Sequence, residues 1–276
     1  MAVTRELLLA YYGQDREDGR LRAGHGRLEF WRTQDVLRRT LPPAPARVLD
    51  VGGGTGVHAE WLAADGYDVE LLDPVPLHVE RASKLAGVTA RLGDARELPV
   101  PDASVDAVLL LGPLYHLAER ADRVRALAEA RRAVRPGGTV AAATINRHAA
   151  VHDMVRTGSY VEERQRETAH AAARSGHMVS PGSGFPAYFH DPEEVPGEFA
   201  DAGLPGAERY GLEGAFWLYG DVEDWLDGPE RRRLLLDAQR SMESVPSLLG
   251  ISGHLLTIAR RQPAPAARRS GSSRSR

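Results

Sequence analysis

Residues 48–56 read Val-Leu-Asp-Val-Gly-Gly-Gly-Thr-Gly, and this stretch decides the fold class of the chain. A short apolar run ends in an acid, Asp50, and glycines follow at positions 52, 53, 54 and 56. Glycine adopts positive φ without steric cost, so the spacing predicts a tight turn between a buried strand and a helix from Val57 to Ala64. The dinucleotide-binding fingerprint fits poorly, because Val57 stands where its last glycine belongs.

Strand-like and helix-like segments alternate through the first half of the chain. Apolar runs predict five strands there and a closing pair near the end, at residues 47–51, 67–72, 88–92, 106–111, 139–145, 206–213 and 254–261. This alternation predicts a doubly wound, mostly parallel α/β sheet of seven strands. Ligands bind such sheets beyond the carboxyl ends of the strands, so the residues that end strands are the first candidates for a site.

The chain divides into segments of different composition. We expect one domain over residues 1–262 and a disordered tail over residues 263–276, which are rich in Ser, Arg and Ala. Within the domain we expect N-terminal helices at 1–41, a ligand-binding core at 42–145, a helical cap at 146–186, and closing helices and strands at 187–262.

The composition argues against several function classes. The 276 residues carry a net charge of −3 and no cysteine, which excludes disulfides and thiolate metal sites. Without the four arginines that follow Pro263 the charge falls to −7, so we expect no nucleic-acid partner. The histidine and acid spacings predict no metal site.

The sequence shows neither a membrane span nor a signal peptide, which favours a cytoplasmic protein. Monomer and homodimer both remain open.

Polar residues stand where the second and third predicted strands end. Asp73 closes the second strand, and Asp94 and Ala95 follow the third. An acid at the first of these positions accepts ribose hydroxyls in dinucleotide folds. Taken alone, however, Asp73 is equally consistent with an ordinary turn aspartate. A tight turn that holds no ligand is the alternative for the glycine stretch.

Together these features resemble the class I S-adenosylmethionine-dependent methyltransferases. The resemblance rests on the glycine stretch, on Gly93-Asp94-Ala95, on the segment from Leu98 to Asp106, and on the turn Arg135-Pro136-Gly137-Gly138. It implies a Rossmann-like methyltransferase fold with a helical cap, S-adenosylmethionine as the cofactor and S-adenosylhomocysteine as the product. It also implies methyl transfer to an O or N atom of a small molecule, for which a natural product is our hypothesis.

The resemblance implies a set of cofactor-binding residues. Asp73 would accept the ribose hydroxyls, Asp94 would accept the adenine amino group, and the Ala95 amide would donate to a ring nitrogen. A tyrosine of the N-terminal segment would close over the methionine end. The full set is Tyr12, Asp50, Gly52, Gly53, Gly54, Thr55, Gly56, Asp73, Pro74, Asp94, Ala95, Leu111, Gly112 and Pro113.

The chemistry places modest demands on the side chains. Methyl transfer is an in-line displacement that depends mainly on alignment, and a hydroxyl acceptor also benefits from a base, most often histidine. His116 follows the fourth strand and His190 precedes a helix, which makes them the candidate catalytic residues. The candidate substrate-binding residues are Tyr115, His116, Phe185, Tyr188, Phe189 and Trp217. For each of these side chains, ordinary core packing is the alternative.

Two other functions fit the same motifs. An enzyme could bind the cofactor on this fold and catalyse a different reaction, or a non-catalytic protein could retain the fold for ligand binding. Neither the glycine stretch nor the strand-end acids separates these alternatives, because both features concern the cofactor and not the acceptor.

Overall fold

The computed structural model describes residues 19–179 and 186–263. The helices of these residues are α1 (Gly26–Thr40), α2 (Val57–Ala64), α3 (Pro76–Ala82), α4 (Arg120–Ala133), α5 (Ala149–Arg156), α6 (Glu163–Ser175), α7 (Val195–Asp201), α8 (Val222–Asp227), α9 (Pro229–Arg240) and α10 (Pro246–Leu249). The strands are β1 (Arg47–Val51), β2 (Asp68–Asp73), β3 (Val88–Leu92), β4 (Val105–Leu110), β5 (Val134–Asn146), β6 (His177–Val179), β7 (Pro186–His190), β8 (Glu208–Gly211) and β9 (His254–Arg260).

The sheet contains the seven strands that the sequence predicts. Their order is β3-β2-β1-β4-β5-β9-β8, with β1 to β5 parallel and β9 antiparallel to both of its neighbours. The predicted doubly wound, mostly parallel α/β fold is therefore confirmed. One boundary differs, because β5 begins at Val134, which pairs with Val105 before a shift in register. The Arg-Pro-Gly-Gly segment consequently lies within this strand and does not precede it.

A hairpin of β6 and β7 adds two strands that the sequence analysis missed. The cap contains helices α5 and α6 as expected, but β6 follows them and pairs antiparallel with β7. Ile145 of β5 pairs with His254 of β9 on one side and with Phe189 of β7 on the other. The hairpin therefore continues the sheet beyond the end of β4, whose last paired residue is Leu110.

Apolar layers cover both faces of the sheet. Val48 of β1 packs on the face covered by α1 and α2, while its neighbour Leu49 packs on the face covered by α4 and α7. Burial on both faces explains why the central strands read as continuous apolar runs. Across the described residues, no helix combines the length and the apolar character that crossing a bilayer requires.

Candidate functional site

A cavity of about 590 Å³ opens at the carboxyl ends of β1 to β4. Most of the predicted cofactor residues line it. They are Asp50, Gly52, Gly53, Gly54, Thr55, Asp73, Pro74, Asp94, Ala95, Leu111, Gly112 and Pro113, joined by Tyr115 and His116. The fold thus brings residues from four strand ends to one cavity, as expected for a doubly wound sheet.

The glycine turn packs closely against two other parts of the site. A Cβ at Gly53 would lie 2.6 Å from Asp50 Oδ2, and a Cβ at Gly52 would lie 2.7 Å from Pro113 Cγ. Gly54 has a positive φ of 59°, and a Cβ there would meet no atom within 4 Å. Only glycine allows both the tight packing and this backbone conformation, which leaves the surface of the turn open to a ligand.

Asp50 is the most unusual side chain of the cavity. It is fully buried, and both carboxylate oxygens have no hydrogen-bond partner among the described residues. Burial, with a further contribution from the nearby Asp73, raises the pKa of Asp50 to about 7. A buried carboxylate without donors is costly unless a ligand supplies a donor or a positive charge.

Asp73 links the glycine turn to the segment after β2. The Gly54 N–H donates to Asp73 Oδ2 at 2.9 Å, and the Val75 N–H donates to Oδ1 at 2.9 Å. His78 Nδ1 lies 3.0 Å from the same Oδ1. Asp73 is only 4% exposed, so these contacts fix the carboxylate at the cavity wall.

Asp94 is held by a neighbour that the sequence analysis did not identify. Arg96 Nη2 donates to Asp94 Oδ2 at 2.7 Å, and Arg96 Nε donates to Oδ1 at 3.0 Å. These bonds to Arg96 lower the pKa of Asp94 below its usual value and keep it ionised. A carboxylate accepts about four hydrogen bonds, so Asp94 retains capacity for a ligand donor.

The tip of β4 forms the wall beside the glycine turn. Residues Pro113–His116 make one 3₁₀ turn there, and the rings of Tyr115 and His116 lie 4.5 Å apart edge to face. Burial lowers the pKa of His116 to about 3, so its imidazole is neutral at physiological pH. Both residues line the cavity. Their catalytic and substrate-binding roles remain predictions.

Four of the candidate catalytic and substrate-binding residues do not line the cavity. The candidate catalytic residue His190 is not part of the cavity lining and is fully buried, with Nε2 3.4 Å from Glu198 Oε2. Phe189 packs inside the cap, and Trp217 Nε1 donates to the Ile251 carbonyl at 3.0 Å. The ring of Tyr188 covers the Arg123 guanidinium, 3.7 Å from its centroid.

The remaining predictions fall elsewhere. Gly56 has a φ of 93° and precedes the start of α2. A Cβ at Gly56 would lie 2.4 Å from Leu85 Cδ1. Gly56 therefore packs inside the protein and does not line the cavity. Tyr12 and Phe185 lie outside the described residues, so their predicted contacts have no structural counterpart to compare.

Arg123 contacts Tyr188 directly and reaches the buried His190 through their shared partner Glu198. Its Nη2 and Nε donate to Glu198 Oε1 at 2.7 and 2.9 Å, and its Nη1 donates to the carbonyls of Leu117 and Ala118 at 2.9 and 2.8 Å. Leu117 and Ala118 line the cavity directly after His116. We call Arg123, Glu198, His190 and Tyr188 the Arg123 network, and it ties the β4 tip to α7 and β7.

A polar part of the cavity wall has no counterpart in the sequence motifs. Arg20, Glu29 and Thr33 line the cavity from the segment before β1, together with His58 at the start of α2. No motif marks these residues, because their position depends on how α1 packs against the sheet. Burial lowers the pKa of His58 to about 4, so this imidazole is also neutral.

Comparison with known proteins gives a family for the core. Residues 48–138 match the family model of the methyltransferase domain. An uncharacterized methyltransferase of Mycobacterium bovis is 46% identical over 100 residues, which are 36% of this chain and 39% of that protein. The 27-O-demethylrifamycin SV methyltransferase of Amycolatopsis mediterranei is 38% identical over 119 residues, 40% of this chain and 43% of the relative. The chain thus matches less than half the length of these relatives.

Solved structures extend the similarity to the whole fold. A chain from the complex of the Haloferax volcanii Trm112 methyltransferase activator with a putative methyltransferase superposes with a TM-score of 0.60 at 22% identity, covering 95% of this chain and 100% of that one. The [4+2]-cyclase SpnF superposes with a TM-score of 0.53 at 19% identity, covering 85% and 82%. The family match over residues 48–138 and the shared fold both support the resemblance to the class I S-adenosylmethionine-dependent methyltransferases.

Proposed function

We propose that this protein transfers a methyl group from S-adenosylmethionine to an O or N atom of a small molecule. One observation carries the proposal: a glycine turn, a buried carboxylate and two strand-end acids converge on a single cavity. The relative that acts on demethylrifamycin supports a natural product as the acceptor. The acidic charge of the chain outside its arginine-rich end supports a small molecule and not a nucleic acid.

The residues of the cavity fit this cofactor. Asp50 has two buried oxygens without donors, which suits a ligand that carries positive charge. Asp73 and Asp94 offer fixed acceptors for a diol and an amino group, and Gly54 leaves the backbone accessible. The cofactor, when bound, supplies a methyl group on a positively charged sulfur, which is already a strong electrophile.

The chain contributes mainly alignment. The 3₁₀ turn Pro113–His116 is anchored through Leu117 and Ala118 to Arg123, which fixes the wall that an acceptor would contact. His116 is neutral and offers a hydrogen-bond acceptor to a hydroxyl or an amine. Because its pKa is about 3, His116 is a weak base in the free protein. An amine acceptor, which loses its own proton before attack, therefore places the smaller demand on this site.

Methyl-labelled S-adenosylmethionine tests the proposal. The protein is incubated with the labelled cofactor and a small-molecule extract, and the products are separated and counted. We expect label in a small molecule with the unaltered protein and a strong loss of label with Asp73→Ala. Cofactor binding by calorimetry without transfer to any acceptor would reject methyl transfer.

One structural neighbour favours a second candidate. SpnF is named as a [4+2]-cyclase, and it shares the fold over 85% of this chain. An enzyme of this fold with a different reaction is therefore the alternative, in which the cofactor is bound but not consumed. The labelling experiment distinguishes the two, because the alternative predicts substrate conversion with the label left on the cofactor.

A further inference from the structure

The loop after β3 is held by one face of α4. Asp122, Arg125 and Glu129 are spaced three and four residues apart, so their side chains lie on the same side of this helix. Asp122 Oδ2 accepts from Arg96 Nη1 at 2.9 Å, and Arg125 Nε donates to the Arg96 carbonyl at 2.8 Å. Glu129 Oε2 accepts from the Leu98 N–H at 2.9 Å. Helix α4 therefore fixes the loop directly after its strand-end acid.

Arg96 connects this face of α4 to that acid, Asp94. Its guanidinium uses all three nitrogens, with Nη1 on Asp122 and with Nε and Nη2 on the two carboxylate oxygens of Asp94. All three side chains belong to the cavity wall. Asp122 stands in the first turn of α4, where the helix dipole favours a negative charge. The guanidinium is thus anchored on one side and orients Asp94 on the other.

The two oxygens of Asp94 differ in their hydrogen bonds. Oδ1 accepts from the Arg96 backbone N–H at 2.8 Å and from Arg96 Nε at 3.0 Å. Oδ2 accepts from Arg96 Nη2 at 2.7 Å, and no other donor within residues 19–179 and 186–263 reaches it. Each carboxylate oxygen accepts about two hydrogen bonds, so Oδ1 is filled and Oδ2 has one acceptor position left.

The same contacts determine which ligand group can use this position. The bonds to Arg96 lower the pKa of Asp94 below its usual value, so the carboxyl has no proton to donate at neutral pH. An amino group on a ligand would donate to Oδ2. A carbonyl oxygen in its place would set two acceptors against each other, which a site built for a donor rejects.

We propose that Arg96 is a positioning residue that makes the cavity select a 6-amino purine over a 6-oxo purine, because it holds Asp94 with one acceptor position open. The inference rests on the proposed function, in which Asp94 accepts the adenine amino group. The side chains of Arg96 and Asp94 are 36% and 49% exposed, so their ion pair adds little to the stability of the fold. Its effect should therefore appear in ligand selectivity.

Two ligands that differ at one ring position test the proposal. Calorimetry compares S-adenosylhomocysteine with S-inosylhomocysteine, in which a carbonyl oxygen replaces the adenine amino group. We expect the unaltered protein to prefer S-adenosylhomocysteine by about 10- to 100-fold, because the oxo ligand loses a charged hydrogen bond. Arg96→Gln should lower this preference by about fivefold or more, because Asp94 loses the paired bonds that orient it.

The chain offers a matched control in the same contact. Arg125→Gln removes a bond from α4 to the same loop but does not touch Asp94, so the preference should stay within about twofold of its original value. A double variant separates the two residues of the pair. When Arg96→Gln is added to Asp94→Ala, the preference should not change further, because Arg96 acts through Asp94.

Several results would overturn the proposal. These are an unchanged preference in Arg96→Gln, equal losses of affinity for the two ligands in that variant, or the same loss of preference in Arg125→Gln. A further loss of preference when Arg96→Gln is added to Asp94→Ala would also overturn it. Equal affinity of the unaltered protein for the two ligands would overturn the selectivity and leave methyl transfer intact. Failure of the unaltered protein to bind S-adenosylhomocysteine would instead reject the proposed function.

Discussion

The residues that would hold the cofactor and the residues of the Arg123 network are positioned by different kinds of contact. We use cofactor ledge for Asp50, the glycines 52–54, Asp73 and Asp94, which are each placed by a strand end. Arg123 meets Glu198 across 75 residues of chain, and Tyr188 covers it from a third element. Local backbone geometry therefore determines the ledge, while the wall that an acceptor would face depends on contacts between distant segments.

This difference has an energetic consequence. The acids of the ledge are available to a ligand, and burying the Asp50 carboxylate is energetically costly until a ligand supplies a partner. The ledge therefore contributes to ligand binding more than to folding. In the Arg123 network, by contrast, the guanidinium finds its partners within the protein, because it donates to Glu198 and to two carbonyls. Changes in the network should therefore affect stability first, and changes in the ledge should affect ligand affinity first.

Arg123→Ala should have the largest effect, and that effect should appear in stability. It leaves Glu198 buried and without its charged partner, so we expect the free energy of unfolding to fall by about 3–5 kcal/mol. Urea denaturation followed by circular dichroism measures this value.

The same two helices provide the control. Arg120 of α4 pairs with Asp201 of α7 at 2.8 Å, but both side chains are more than half exposed. Arg120→Ala should cost no more than about 1 kcal/mol. Equal effects of the two substitutions would show that the Arg123 network does not have the structural role assigned to it.

Asp73→Ala should come next, and its effect should appear in binding. It removes the acceptor assigned to the ribose and releases the Gly54 N–H, so we expect a loss of about 2–3 kcal/mol in affinity for S-adenosylhomocysteine.

Asp94→Ala should lower the affinity for the same ligand by about 1–2 kcal/mol, because the Asp94 side chain is 49% exposed and also bonds to Arg96. Calorimetry measures both values, and affinities unchanged in both variants would contradict the site.

The sequence predicts the ledge better than the network for a physical reason. Glycines and acids at strand ends follow from the local alternation of strand and helix, so Asp73 and Asp94 could be placed without knowledge of packing. His190 and Tyr188 also stand beside an element boundary, but the pairing of β7 with β5 turns them toward Arg123. Arg20 and Glu29 carry no local signal, because their place in the cavity wall depends on how the N-terminal segment folds over the sheet.

Asp50 should make cofactor binding at the ledge depend on pH near neutrality. Below its pKa of about 7 the carboxyl is neutral, and above that value it is an anion that attracts the sulfonium. We expect the affinity of S-adenosylmethionine relative to S-adenosylhomocysteine to rise, by up to about tenfold, between one unit below and one unit above this pKa.

The comparison of two ligands isolates Asp50. Both carry the same head group, so other titrations cancel in the ratio, which competition calorimetry can follow across the pH range. In Asp50→Asn the ratio should be constant, because the amide does not ionise. A constant ratio in the unaltered protein would show that Asp50 does not respond to the charge on sulfur.

Trp217→Phe should have the smallest effect. It removes the bond from Nε1 to the Ile251 carbonyl, so we expect a loss of about 1 kcal/mol in the free energy of unfolding. Cofactor affinity and the rate of methyl transfer should be unchanged, because Trp217 does not line the cavity. A selective loss of acceptor affinity would return Trp217 to the acceptor site.

A crystal structure of the protein with S-adenosylhomocysteine tests the central claim most directly. We predict the ligand in the cavity at the carboxyl ends of β1 to β4, with its ribose hydroxyls hydrogen-bonded to Asp73 and its adenine amino group hydrogen-bonded to Asp94. Density for the ligand at another place, or in this cavity with both carboxylates turned away from it, would contradict the account.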